Sequence, residues 1–226
     1  VYIVFFLLVA LYGVVTWVKT GTFISIILAM VGFFGSTFFH GAMIIGGIVF
    51  LSIILLSYIK RSIKLLIQYR INLKILTLFL LLITSGLYIS KNVHIPYLES
   101  FDYATNLGTL FQKTQLNTKG GASWPEWTII SSPNEIFYKF PIRSLYFMFA
   151  PFPWDVQHFK HLVGMFDSFI YLYLTFLILK NRNYIWKDPV LKIFLIILLS
   201  YIIVFGIGVG NFGTGIRHRS KFAVIF

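Results

Sequence analysis

The stretch Gly210-Asn211-Phe212-Gly213-Thr214-Gly215-Ile216-Arg217-His218-Arg219-Ser220-Lys221 carries three strong cations and no acid. An arginine presents a planar fork of donors that matches a phosphate or a carboxylate bidentately. Asn211 and Thr214 add neutral donors. His218 lies between two arginines, and an imidazole can exchange a proton near neutral pH. Glycines at 206, 208, 210, 213 and 215 loosen the helix and let the backbone approach a ligand closely. Together these residues describe an anion-binding turn. Two plainer readings stand beside it: an outer loop whose basic residues touch lipid phosphates, or an ordinary cytoplasmic turn if the spans are miscounted by one.

Other residues could join such a site. His40, in Phe38-Phe39-His40-Gly41, sits at a helix junction, where it is either a substrate-binding group or a simple connector. Arg143 follows Pro141 and could contribute to an anion site. Asp155 reads as a helix N-cap. Asp167 falls inside an apolar run, where an unpaired carboxylate is costly, so it should face the bundle and pair with an arginine. Glu99, Asp102, Glu126 and Glu135 are candidates for a general base, and no spacing singles one out. Asn106-Leu107-Gly108-Thr109 echoes Asn211-Phe212-Gly213-Thr214, too briefly to define a repeat.

The elements that must position these groups follow from composition. Of the 226 residues, 58% are hydrophobic and 12% are charged, whereas soluble domains carry about 25% charged residues. So apolar a chain cannot hide its hydrophobic residues in a water-soluble core of this size, which makes it an integral membrane protein. The net charge of +12 would suggest nucleic acid in a soluble protein. In a membrane protein it reflects cytoplasmic loops and anionic headgroups, so membrane lipids and not nucleic acid are the expected partners. With no cysteine there are neither disulfides nor thiolate metal sites.

A helical span needs about 20 mostly apolar residues. Runs at 1–18, 22–38, 41–58, 73–89, 162–179 and 190–209 meet this, with a shorter one near 142–152. The expected fold is an all-α, polytopic transmembrane bundle of six or seven spans. Residues 1–90 hold four helices and a basic loop at 60–74. Residues 91–161 form a long extracytoplasmic loop, and 162–226 hold two helices, a basic outer turn and the start of another helix. The loop at 60–74 has five basic residues and no acid, which places it in the cytoplasm. The turns at Lys19 and at 180–188 then also lie inside, and 210–221 lies outside, against the charge rule. The outer segment has prolines at 96, 125, 133, 141, 151 and 153 and no long helical periodicity. Its aromatics, among them Trp124, Trp127 and Trp154, suit a headgroup belt. The absence of an initial Met and the apolar run at 222–226 suggest a piece of a longer protein.

There is no Walker-type phosphate loop, zinc-ligand spacing, nucleophile elbow or dinucleotide fingerprint. Phe38-Phe39-His40-Gly41-Ala42, Pro151-Phe152-Pro153-Trp154 and the 211–219 stretch together resemble polytopic proteins of bacterial surface-polysaccharide clusters, in particular the repeat-unit polymerases of O-antigen and capsule synthesis. That resemblance implies a multi-pass protein of the bacterial inner membrane and a metal-independent glycosyltransferase with no cofactor. The implied substrate is an oligosaccharide on polyprenyl pyrophosphate, and other polysaccharide-assembly proteins are implied partners. Arg217 and Arg219 would take the family's outer arginine role, with Arg143 a weaker match. His218 would act beside them, and Lys221, Asn211, Thr214 and His40 would bind substrate. The alternatives are a lipid-linked glycosyltransferase adding a single sugar and a flippase or exporter subunit.

Overall fold

The computed structural model describes residues 1–66, 122–132, 134–156 and 158–226, with only the backbone for 62–66 and 160. The expected span at 73–89, the acids Glu99 and Asp102, and much of the expected outer loop lie outside the described residues. The order is α1 (Tyr2–Thr20), α2 (Phe23–Phe39), a 3-10 turn (Gly41–Met43), α3 (Ile44–Leu66), a 3-10 turn (Glu126–Thr128) and α4 (Glu135–Phe149). A 3-10 turn (Pro153–Asp155) follows, then α5 (Phe159–Lys180), α6 (Arg182–Lys187), α7 (Pro189–Gly208), α8 (Phe212–Phe222) and a last 3-10 turn (Ala223–Ile225). Among the described residues the fold is all-helical, as expected from the apolar runs.

Among the described residues, four stretches are long and apolar enough to cross a membrane: Tyr2–Thr20, Gly41–Arg61, His161–Lys180 and Pro189–Gly208. They match four of the expected spans. The run at 22–38 forms α2, equally apolar but only 17 residues long, which at 1.5 Å per residue is about 25 Å. The outward faces are apolar throughout: Phe5, Leu8 and Tyr12 on α1, and Phe166, Phe169, Ile170, Tyr173 and Phe176 on α5, are all exposed. Water would tolerate no such surface, and lipid solvates it.

The ends of the elements are set locally. Gly21 stops α1 in the left-handed conformation (φ 66°) and its N–H donates to Trp17 O at 2.8 Å. Asp188 caps α7 by accepting from the N–H of Val190 and Leu191 at 2.8 and 3.0 Å, with Pro189 at the first helical position. Within the segment expected to form the outer loop, residues 135–149 form the regular helix α4, which overlaps the shorter apolar run expected near 142–152 but starts earlier. Pro141 disguises that helix in the sequence. It occupies an exposed position, and its missing N–H removes one hydrogen bond without ending the element.

Packing within the bundle depends on small residues. A Cβ on Gly13 would lie 2.4 Å from Ala29 N, and one on Gly32 would lie 2.3 Å from Ala10 N. The backbones of α1 and α2 therefore touch, as is favoured where lipid supplies no hydrophobic drive between helices. At the centre, α7 meets α1, α3, α4 and α8. Tyr201 of α7 donates its hydroxyl hydrogen to Met43 O at 3.0 Å. Since Tyr201 precedes the end of α7 by about 10 Å, the α2–α3 connection, with His40 in it, lies below the top of α7.

Replacing Gly32 by Leu forces α1 and α2 apart and should destabilise the fold by about 1–3 kcal/mol, the usual cost of overpacking. Gly208→Ala, which meets nothing within 4 Å, should leave stability nearly unchanged. Thermal unfolding of both variants in detergent, followed by helical circular dichroism, checks the pair.

Candidate basic cluster at one end of the bundle

The 210–221 stretch is a helix and not a turn. Ser123 and Asn211 pair through an antiparallel bridge, with Trp124 N–H donating to Gly210 O at 2.9 Å and Phe212 N–H to Ala122 O at 3.0 Å. This fixes the start of α8. Asn211 then caps it, its Oδ1 accepting from Thr214 N–H at 2.7 Å. The Asn211 side chain, expected to bind substrate, is therefore engaged in a helix cap, in which Thr214 takes part through its backbone N–H. Gly206 permits contact between helices, since a Cβ there would lie 2.9 Å from Ser144 Cα.

Helical geometry divides the three cations. Arg219 points inward and is fully buried. Its Nη1 donates to the carbonyls of Phe147 and Ala150, each at 3.2 Å, and to that of Met148. Its Nη2 donates to Asp167 Oδ2 at 2.6 Å and to Ser168 Oγ at 3.3 Å. The guanidinium also lies 5.2 Å from the Tyr171 ring centre. Asp167 thus has the arginine partner that its place in an apolar run demands. Arg143 is likewise fully buried. It donates to Gly206 O at 3.1 Å, Ile207 O at 3.0 Å and Thr128 O at 2.8 Å, and to Val209 O. It lies over Trp124, which is buried beneath it and not in the headgroup belt. Trp127 and Trp154 are exposed, as a belt requires. Each buried arginine closes the carbonyl end of a helix, Arg143 that of α7 and Arg219 that of α4, so neither presents a free fork to a ligand.

What faces outward is a different group. Arg217 is exposed, while His218, Lys221 and His40 are half-buried. The His40 and His218 rings meet edge to face at 4.8 Å between centres. His218 lies against Phe205 at 5.0 Å, and His40 lies 5.4 Å from the same ring. Lys221 Nζ is 2.6 Å from His218 Nδ1. An ammonium can only donate, so His218 accepts at Nδ1 and carries its proton on Nε2. The Nδ1 of His40 is buried with no hydrogen-bond partner among the described residues. No carboxylate among them forms an ion pair with Arg217, His218 or Lys221.

Burial, and to a lesser degree neighbouring cations, lower the pKa values of the cluster. Burial, then Lys221, holds His40 down to about 4. Burial, then Lys221, His40 and Arg217, holds His218 down to about 3. Burial, then Arg217, lowers Lys221 to about 8. At neutral pH the histidines are therefore neutral N–H donors, and His218 is not the near-neutral proton exchanger that the sequence suggests. A bound anion would reverse the Coulombic part of these shifts. Phe205, which forms the floor of the cluster, gives no sign in the sequence beyond lying four residues from Tyr201 on the same helix face.

Of the remaining candidates, Glu135 is tied to Lys139 at 2.7 Å and accepts from Ser131 N–H at 2.9 Å. Asp155 accepts from Phe152 N–H at 3.0 Å, so it caps the 3-10 turn and not α5, which starts at Phe159. Glu126 is exposed. No group of three or more potential metal ligands occurs among the described residues.

Among the described residues, fold and cluster define a helical protein with membrane-compatible helices and a half-buried basic cluster at one end. No protein family, curated protein or solved structure matches the chain.

Arg219→Ala leaves Asp167 and three carbonyls without their donor, and should cost about 3 kcal/mol, as for removal of one member of a buried pair. Arg217→Ala, at an exposed site, should cost less than about 0.5 kcal/mol. Chemical denaturation of the two variants in detergent separates the structural arginine from the exposed one.

Proposed function

We propose that the chain is a multi-pass protein of a bacterial inner membrane that binds the pyrophosphate of a polyprenyl-linked oligosaccharide and transfers the sugar chain, as a repeat-unit polymerase does. The observation that carries this reading is the cluster of Arg217, Lys221, His218 and His40, partly removed from water and without a carboxylate partner among the described residues. Holding like charges together in a half-buried cleft is unfavourable unless an anion joins them. A phosphate-bearing group at a membrane-embedded cleft satisfies that requirement, and a polyprenyl chain would remain in lipid beside it.

In this reaction the acceptor hydroxyl oxygen attacks the anomeric carbon, and the bond to pyrophosphate breaks with its electron pair leaving on the phosphate oxygen. Arg217 and Lys221 neutralise that charge as it develops, where fixed cations are most effective. The N–H groups of the neutral histidines add donors. An outer carboxylate or histidine takes the acceptor proton, and exposed Trp127 and Trp154 offer faces for sugar rings. The interior arginines Arg143 and Arg219 are occupied by carbonyls, which speaks against a cationic transport path through the bundle.

Arg217→Ala and Lys221→Ala should abolish long-chain polysaccharide in the native host while protein level stays unchanged, with single lipid-linked repeat units accumulating. Normal chain length in both would rule the assignment out. Incomplete units would indicate a single-sugar transferase, and complete units trapped on the inner face a flippase.

The charge of Lys221 also sets a pH dependence. Its ammonium is needed to hold the anion and is lost as pH rises through about 8. Affinity for pyrophosphate should therefore be full below pH 8 and fall above it by up to about tenfold per pH unit. Calorimetric titration of the purified protein between pH 6.5 and pH 9.5 (a range of about three units centred on that value) should show this, and Lys221→Arg should remove it.

A further inference from the structure

At the end of the bundle opposite His40, a cavity of about 420 Å³ opens between the end of α1, the later turns of α3 and the start of α7. It is independent of the basic cluster and of the function proposed for it. Trp17, Val18, Ile53, Pro189 and Ile193 supply apolar walls. Arg61 and Lys192 supply two cations, and Ser57 and Tyr58 two hydroxyls. No carboxylate among the described residues lines it. Asp188, beside Pro189, turns its Oδ1 to the N–H groups of Val190 and Leu191. The ammonium of Lys192 is 5.8 Å from the Trp186 ring centre, and that ring is itself exposed. Trp17 packs edge to face on Phe50 at 5.4 Å, which holds the inner wall.

We propose that this cavity binds the headgroup phosphate of an anionic phospholipid. Three features lead to that ligand in preference to a soluble anion. The walls are mostly apolar, which suits a glycerol and the first methylenes of an acyl chain. The cations lie at the ends of helices long enough to cross a bilayer, the depth at which headgroup phosphates sit. An exposed tryptophan flanks Lys192, as at a membrane–water boundary. Basic pockets between transmembrane helices on the cytoplasmic side bind lipid phosphates in this manner. The basic residues of α1, α3 and α6 assign this same end to the cytoplasm.

The test uses the full chain in detergent with equal amounts of phosphatidylglycerol and phosphatidylcholine, and bound lipid is read by native mass spectrometry. Phosphatidylglycerol should be retained selectively. Arg61→Gln and Lys192→Gln should each lower its affinity about fivefold, the effect of one basic residue near a charged headgroup. Arg182→Gln, a cation of the same end that does not line the cavity, should retain the lipid. Ser57→Trp, which fills the cavity without changing charge, should displace it, and Arg61→Lys should keep it even if the neutral variants do not fold. Equal retention of the two lipids, or retention unaffected by Ser57→Trp, would overturn the proposal. Displacement of the lipid by inorganic phosphate at matched ionic strength would assign the cavity to a free anion instead.

Discussion

A helix ends with carbonyl groups that have no partner of their own, and inside an apolar bundle no water is at hand to supply one. This protein meets that constraint with arginine. Arg143 of α4 gathers the last carbonyls of α7, and Arg219 of α8 gathers those of α4. The five N–H groups of a guanidinium allow one side chain to serve several acceptors at once. The result is a chain of dependence from α8 to α4 to α7. Asp167 adds the countercharge at one step, and Trp124 and Tyr171 add aromatic faces against the two guanidinium planes.

That arrangement also produces the basic cluster. With Arg219 drawn inward, the opposite face of α8 carries Arg217 and Lys221 outward, and His218 turns toward His40 and Phe205. His40, from the α2–α3 connection, completes the cluster, in which Arg217 is exposed and the other three residues are half-buried. Burial first, and then their mutual repulsion, hold the two histidines neutral and weaken the lysine's hold on its proton. A site of this kind is poised for an anion because an anion relieves a conflict already present.

Much of the scaffold was legible in the sequence, because apolar runs of span length have few alternatives. The pairing of Asp167 with an arginine was legible for the same reason, since a carboxylate in an apolar helix needs a cation. Which arginine it would be was not, because Arg219 is 52 residues away along the chain. Treating 210–221 as a turn gave its three cations equal standing. On a helix, residues 217 and 221 share a face while 219 lies about 200° from 217. Helical periodicity would therefore have separated the structural arginine from the exposed cations. The glycines encouraged the turn reading, yet an asparagine cap and a bridge to Ser123 suffice to hold the helix. The first turns of α4 were hidden by Pro141, since the short apolar run near 142–152 marked only its later part, and the proline breaks the expected pattern without breaking the helix.

The chain of arginine contacts has a consequence for biosynthesis. Phe147, at the end of α4, and Arg219, which serves it, are 72 residues apart. At translation rates of about 5–20 residues per second, α4 is complete roughly 4–14 s before its partner exists. During that interval its last carbonyls must be satisfied by water or by the insertion machinery, so α4 can settle into the bundle only after α8 has been made. Helix α8 thus acts as the latch of the assembly, and the order of synthesis leaves that end of the bundle open until the latch closes.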